Sequence, residues 1–376
     1  MNAIPRDLWL DEKARRCGFP GGDALLATLD ARPYRAIQLY RAAARELVDD
    51  LHQVTVLPAE MRDRLTADGF PLESVVPVVV QRSADGQTTK GLFRLADGAE
   101  VEAVLMEHFA GRTTVCISSQ AGCAYRCAFC STGQAGFTRH LTATEIFDQA
   151  RYFARSLKTV GKRITNVVFM GMGEPFHNMD AVMGAVSLLS DPHGFGLGHR
   201  HITISTVGLV PEIDRFAKER TQVNLAISLH APTDDQRSRI MPVNRRYPIA
   251  ELIGACDRYI AQTNRKVFVE YVMLDGVNDD DASARALGQL LRGKLYHVNL
   301  IPYNATPDAA LRGAAEARIR AFQRQLDGAG VPTTVRVPMG RDIAAACGQL
   351  RAETQPRAGA ADGTARAPAL RKNAAS

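Results

Sequence analysis

The sequence predicts an α/β protein: a partial barrel of six strand–helix units, preceded by a small N-terminal helical region and a β-meander leading into the core. Three observations carry this. From Thr113 onward, apolar runs of strand length alternate with segments of helical periodicity; between 75 and 106 the period is two; before that the apolar spacing is three to four. Repeated strand–helix alternation implies a parallel sheet, curved or closed as a barrel, with chemistry at the C-terminal strand ends.

Residues 1 to about 72 read as helical, with helices over 24–29, 36–51 and 58–65 separated by Gly21-Gly22, Arg32-Pro33 and Leu57-Pro58. The stretch 32–41 is basic with tyrosines at Tyr34 and Tyr40 interleaved. It is either a solvated helix face or a small nucleic-acid-binding module. Strands over 76–81, 91–95 and 101–106 are punctuated by Asp85-Gly86 and Asp97-Gly98, the strongest short hairpin signal.

The core strands are expected at 114–118, 164–170, 201–205, 223–228, 266–273 and 295–301. Helices are expected at 143–157, 181–189, 210–217, 249–262 and 281–291, the first opened by a Thr142-Ala-Thr-Glu145 capping box. A last helix at 314–326 leads to a strand near 333–337. After Leu350 the chain is Ala/Gly/Pro-rich with five Lys/Arg against two acids and no periodicity, the composition of a disordered basic tail. The expected division is 1–74, helical and RNA-binding; 75–108, meander; 109–350, barrel with a catalytic C-terminal segment; 351–376, tail.

A chain of 376 residues can bury a large core. Its seven cysteines (17, 116, 123, 127, 130, 256 and 347) are no disulfide framework at this size. With no secretory leader, they point to a reducing compartment, hence the cytoplasm. No apolar run approaches the roughly 18 residues of a membrane span. A net charge of +6 mildly favours an anionic partner.

The chemistry centres on Cys123-Ala-Tyr-Arg-Cys127-Ala-Phe-Cys130. Structural zinc is closed by four ligands, usually two separated C-x2-C pairs, and here there is no second pair and no His within four residues of Cys130. Three thiolates suit a 4Fe–4S cluster with one iron left open. The pattern resembles the radical S-adenosylmethionine (SAM) superfamily, in which the open iron chelates the methionine end of the cofactor; Phe129 before the third cysteine matches as well. Gly171-Met-Gly173-Glu174-Pro175 follows a strand, where glycines allow close backbone approach and Glu174 can take an ammonium group; this resembles the superfamily's clamp on the methionine amine. Ser205, Ser228-Leu229-His230 and Asn304 end strands, where each can hydrogen-bond the cofactor or be an ordinary strand-end residue.

Cys17 and Cys256 read as small buried hydrophobes. Cys347 sits in a Gly-flanked terminal segment able to fold over a barrel mouth, beside Arg341, which would favour a thiolate. Cys116 precedes the triplet by seven residues.

Seven blocks in order resemble the RlmN/Cfr radical-SAM RNA methyltransferases: 116–120 with the triplet, 171–175, 202–208, 226–232, 270–279, 299–304 and 342–350. That resemblance implies methylation of an adenosine ring carbon, C2 or alternatively C8, in 23S ribosomal RNA, with transfer RNA open as a second substrate. It implies one 4Fe–4S cluster held by Cys123, Cys127 and Cys130, and SAM used both as methyl donor and as radical source. It also implies a monomer and a flavodoxin-like external electron donor.

An electron-poor ring carbon cannot attack a sulfonium methyl as a heteroatom would. In the implied route Cys347 first takes a methyl as thiolate. A 5′-deoxyadenosyl radical then removes hydrogen from that methyl, and the carbon radical adds to the adenine. Glu102, in Val101-Glu102-Ala-Val104, takes the ring proton, unless it is merely a solvated carboxylate beside Glu100. Cys116 resolves the adduct through a transient disulfide with Cys347. Met172-Gly-Glu174-Pro175 looks like the C2 branch, whereas 294–300 and Tyr303 look like the C8 branch; C2 is favoured as the commoner activity. Methylthiolation would require further clustered cysteines for a second cluster, which are absent; a zinc-stapled RNA-binding protein would be colourless.

Overall fold

A computed structural model describes residues 4–109, 111–306 and 310–350; the expected tail at 351–376 lies outside the described residues. The first elements are α1 (Pro5–Arg16), α2 (Gly22–Thr28), α3 (Tyr34–Ala44) and α4 (Ala59–Ala67). Trp9 packs edge-on against Tyr40 and Phe70, with ring centroids 5.8 and 5.9 Å away.

Periodicity does not single out α1, because its buried face mixes Trp9, Leu10 and Ala14 with the charged Lys13. Lys13 is wholly buried, paired with Asp148 at 2.6 Å and donating to Ser74 Oγ at 2.7 Å. The helix expected to run to 51 ends at Ala44, since Leu47 enters the left-handed region at φ 59°. The carbonyls of Ala43 and Val48 at that end are taken by the buried guanidinium of Arg151. That side chain stands in for the missing turn.

The main sheet has ten strands. The meander is β1 (Val76–Arg82), β2 (Thr88–Arg94) and β3 (Glu100–Glu107), all antiparallel, and β3 pairs antiparallel with β4 (Thr113–Cys116). It therefore extends the core sheet rather than standing apart from it. A separate two-stranded ribbon, β5 (Gln120–Gly122) with β6 (Phe137–His140), frames α5 (Ser131–Ala135).

From β4 on the sheet is parallel: β7 (Asn166–Phe169), β8 (Ile202–Thr206), β9 (Asn224–Ser228), β10 (Val267–Met273), β11 (Tyr296–Pro302) and β12 (Thr333–Val335). The crossovers carry α6 (Ala143–Lys158), α7 (Met179–Ser190), α8 (Val210–Lys218), α9 (Asp234–Ile240) with α10 (Ile249–Thr263), α11 (Asp281–Leu291) and α12 (Glu316–Gly328). The expected capping box forms at Thr142 and Glu145. β1 and β12 are the two edges, so this is a partial barrel left open.

The parallel strands separate their two faces by residue type. Val167, Phe169, Ile202, Ile204, Leu225, Ile227, Val267 and Val269 are buried, as the apolar face turned to the helices requires. The alternate residues Val168, Thr203, Ser205, Asn224, Ser228 and Phe268 are only half-buried. That second row lines the inner face, and the site is built on it.

Candidate active site

Cys116 ends β4, opposite Val104 of β3 and Val168 of β7. Paired residues point to one side and the strand period is two, so Glu102 and Cys116 share the inner face. Glu102 is not the solvated carboxylate that strand alternation left open. It is 5% exposed and paired with Lys90 of β2 at 2.9 Å. Its backbone is fixed too: the Ser118 hydroxyl donates to its carbonyl at 2.5 Å and accepts from the Met172 amide at 2.8 Å.

The three-cysteine loop follows β5. Cys123 and Cys127 are buried and Cys130 half-buried. Burial drives the Cys123 thiol up to about 12 and the Cys127 thiol well above its ordinary range, each further raised by Cys130. Metal binding to thiols so raised must displace their protons, which is what a soft metal centre does. Among the described residues, no three His, Cys, Asp or Glu side chains group closely enough for one metal ion. Three thiols strung along one loop fit a cluster, where each thiolate takes its own iron.

Gly173 lies at φ 99°, and a Cβ there would stand 2.5 Å from the Gln120 Cβ; only glycine fits. Gln120 accepts from the Glu174 amide at 2.8 Å and reaches His140 and His177 with its own amide. The Glu174 carboxylate is buried and accepts from the Phe176 and Val207 amides at 2.9 and 2.7 Å. Burial pushes its carboxyl up to about 7 although those amides pull the other way. A buried carboxyl so poised gains from an arriving cation.

Ser205 and Ser228 end β8 and β9 on the inner face, half-buried. Leu229 packs its side chain in the core and offers backbone only: its amide donates to the Glu270 carbonyl at 3.2 Å. His230 lies at φ 59°, accepts from the Val272 amide at Nδ1, and meets Phe129 edge-on at 4.6 Å. Burial drives its pKa down to about 3, so the ring is neutral, with Nε2–H its remaining donor.

Cys347 follows two left-handed turns, at Gly340 and Ala344. The segment is fastened on three sides. Ser131 N donates to Gly348 O at 2.7 Å and Thr132 Oγ1 to Leu350 O at 2.6 Å. Asn304, after β11, donates to Cys347 O at 3.3 Å, and the meander holds Asp342 through the Ala84 amide at 2.8 Å. Asn304 thus engages the terminal segment with its amide while its Oδ1 accepts from Arg341 Nε at 2.7 Å.

The Cys347 side chain remains open to solvent inside the cleft, yet protein encloses it enough to raise its thiol; the opposing influence is Arg336. Cys116 is raised by burial and next by Cys347, which brings the two thiols into electrostatic contact. The guanidinium facing them is Arg336 rather than Arg341, since Arg341 is spent on Asn304.

Sequence reading missed this group. Glu270 Oε1 accepts from Asn299 Nδ2 at 2.8 Å and from Arg336 Nη2 at 3.0 Å, across β10, β11 and the chain leaving β12. The available signal was register: Asn299 pairs with Thr334, so two residues on Arg336 returns to the same face. Arg237, fully buried, donates to the carbonyls of Leu229 at 3.1 Å and Val207 at 2.7 Å, tying together the ends of β8 and β9.

Residues 117–286 match the model of the radical SAM superfamily. A probable dual-specificity RNA methyltransferase RlmN from Chloroflexus aurantiacus is 49% identical over 87% of this chain and 89% of its own. A ribosomal RNA large subunit methyltransferase Cfr from Clostridium botulinum is 42% identical over 88% of this chain and 96% of its own. The crystal structure of a radical SAM methyltransferase from Sphaerobacter thermophilus superposes with a TM-score of 0.85 at 51% identity, covering 87% of this chain and 96% of that one.

Proposed function

This chain belongs to the RlmN/Cfr family of radical-SAM RNA methyltransferases, and from that premise we propose that it methylates C2 of an adenosine in 23S ribosomal RNA, and in transfer RNA, through an S-methylated Cys347. The observation that carries the reading is the docking of the Cys347 segment on the three-cysteine loop, with Cys116 beside it. The dual-specificity relatives at higher identity favour C2 over C8.

Cys123, Cys127 and Cys130 would hold a 4Fe–4S cluster, Gly173 and Glu174 the SAM ammonium, and Ser205, Ser228, the Leu229 backbone, His230 and Asn304 the remaining polar groups. When bound, cluster and SAM supply one-electron chemistry and the methyl group. The chain's own residues do the rest. Cys347, as thiolate beside the Arg336 guanidinium, accepts the methyl at sulfur. Glu102, held by Lys90, takes the ring proton. Cys116, as thiolate, attacks the sulfur of Cys347: the S–S bond forms, the bond from that sulfur to the transferred methylene breaks, and the carbon leaves with the electron pair and takes up a proton as the product's methyl, so that a disulfide remains for external thiols to reduce. The basic stretch 32–41, which leads into and runs along α3 with Arg35 stacked 4.7 Å over Tyr34, would supply RNA contact beyond the cleft.

The deciding experiment is nuclease digestion of 23S RNA reacted with reconstituted enzyme, chromatographed against 2-methyl- and 8-methyladenosine. A 2-methyladenosine peak is expected. The 8-methyl isomer would move the chain to the other regiochemistry, and unmodified adenosine would refute the proposal.

A further inference from the structure

The three-cysteine loop meets different neighbours at its two ends. Its later end, at Phe129 to Thr132, lies under the segment carrying Cys347. Its middle is backed by the end of α9, where Ala128 N donates to Ile240 O at 2.9 Å, and its earlier end holds Tyr125. There Tyr125 lines a cavity of about 300 Å3 with Phe176, His177, Glu212, Val243, Arg246 and Tyr247. Arg246 in that lining is exposed, as are Arg245 and Arg126, the chain neighbours of Arg246 and Tyr125. Arg246 lies 5.3 Å over the Tyr247 ring. Neighbouring Arg215 and Arg239 are engaged by Asp180 and Asp235, whereas among the described residues these three pair with no carboxylate. Arg126 is moreover held at φ 49°, a region that residues with side chains enter at a cost.

We propose that this aromatic cavity, with the exposed arginines beside it, is the docking surface for an acidic one-electron carrier protein that reduces the cluster. The inference rests on the function proposed above, in which the cluster must be reduced by one electron from an external donor before SAM is cleaved: the donor is oxidised by one electron and the cluster reduced by one. The ligands Cys123 and Cys127 are buried, but Ala124 and Arg126 between them are exposed, so a protein seated here stands directly over the loop.

The loop's other end is occupied by the Cys347 segment, and substrate RNA must come to that side to meet Cys347 and Cys116. Electron delivery with RNA in place therefore needs a separate surface. An aromatic floor with Arg246 in its wall and exposed Arg126 and Arg245 next in the chain to its lining has the composition of a protein-binding centre; its one carboxylate, Glu212, is paired with Arg215 at 3.5 Å, so the net positive charge selects an acidic partner.

The test compares reconstituted wild-type enzyme with Arg245→Glu/Arg246→Glu and the milder Arg245→Gln/Arg246→Gln, each driven either by enzymatically reduced flavodoxin, an acidic flavin-bearing carrier, or by dithionite. The flavodoxin concentration for half-maximal methylation should rise about tenfold in the Glu variant and less in the Gln variant. Flavodoxin binding to the holoenzyme, followed by calorimetry, should weaken in parallel and weaken further with salt. The dithionite-driven rate and the KM for RNA should be unchanged. A raised RNA KM with both reductants would assign the arginines to RNA, and no change with either would place the donor elsewhere; both overturn the inference. No methylation by wild type under dithionite would instead overturn the function on which it rests.

Discussion

The amide of Ser131 donates a 2.7 Å hydrogen bond to the carbonyl of Gly348. These residues directly follow Cys130 and Cys347, so one backbone bond joins the cysteine loop to the segment with the distant thiol. Gly348 permits it: φ is 84°, and a Cβ would come 3.0 Å from the Phe129 carbonyl. Side-chain bulk at 348 would part the two.

Cys347→Ala should retain cluster iron but methylate no adenosine, and peptide mass spectrometry of wild type should find an added methyl on Cys347. Cys116→Ala should accumulate a protein–RNA crosslink visible on a denaturing gel. Turnover by the first variant, or clean product release by the second, would remove the assigned roles.

Arg336→Gln should slow alkylation of Cys347 by iodoacetamide roughly tenfold at fixed pH, the equivalent of about one unit of thiol pKa. The guanidinium opposes the burial that raises that thiol, so its loss leaves less thiolate. Arg341→Gln should do so far less, because Arg341 is bonded to Asn304. Peptide mapping after timed alkylation reads both; equal effects would contradict the placement.

Lys13→Ala should lower stability by about 3–5 kcal/mol, because Asp148 would be left buried and unpaired. Lys13→Met with Asp148→Leu should cost much less, since no lone charge remains. Urea unfolding of the single and double variants measures the difference.

Stability should fall as pH drops below about 6.5. His230 is held neutral down to about pH 3 in the fold, whereas the unfolded imidazole takes a proton near pH 6.5, so only the unfolded state gains protons in that window. The slope from this group is at most about 1.4 kcal/mol per pH unit. Urea unfolding at several pH values should show a shallower slope for His230→Gln than for wild type.

The strand–helix alternation was legible because buried parallel strands are nearly continuous apolar runs, as Val267, Val269 and Tyr271 illustrate. The meander was legible from its Asp-Gly turns. α1 escaped because its buried face includes Lys13, whose partner lies far along the chain on α6. Glu102 was legible as a carboxylate on a strand but its surroundings were not, since its burial beside Lys90 depends on strand pairing that no local pattern encodes. Arg336 escaped for the same reason: its significance lies in Glu270 and in two thiols, all distant in sequence. Motif spacing finds side chains that share a loop; it does not find those that share a sheet face.

Asp148 and Gln149 are consecutive on α6 and reach opposite ways. Asp148 grips Lys13 of α1, while Gln149 holds the Ser118 amide at 2.8 Å and its carbonyl at 3.0 Å. Ser118 in turn grips the backbone of Glu102. The N-terminal helices and the strand that carries Glu102 are therefore braced on one shared rod, through two residues adjacent in the chain.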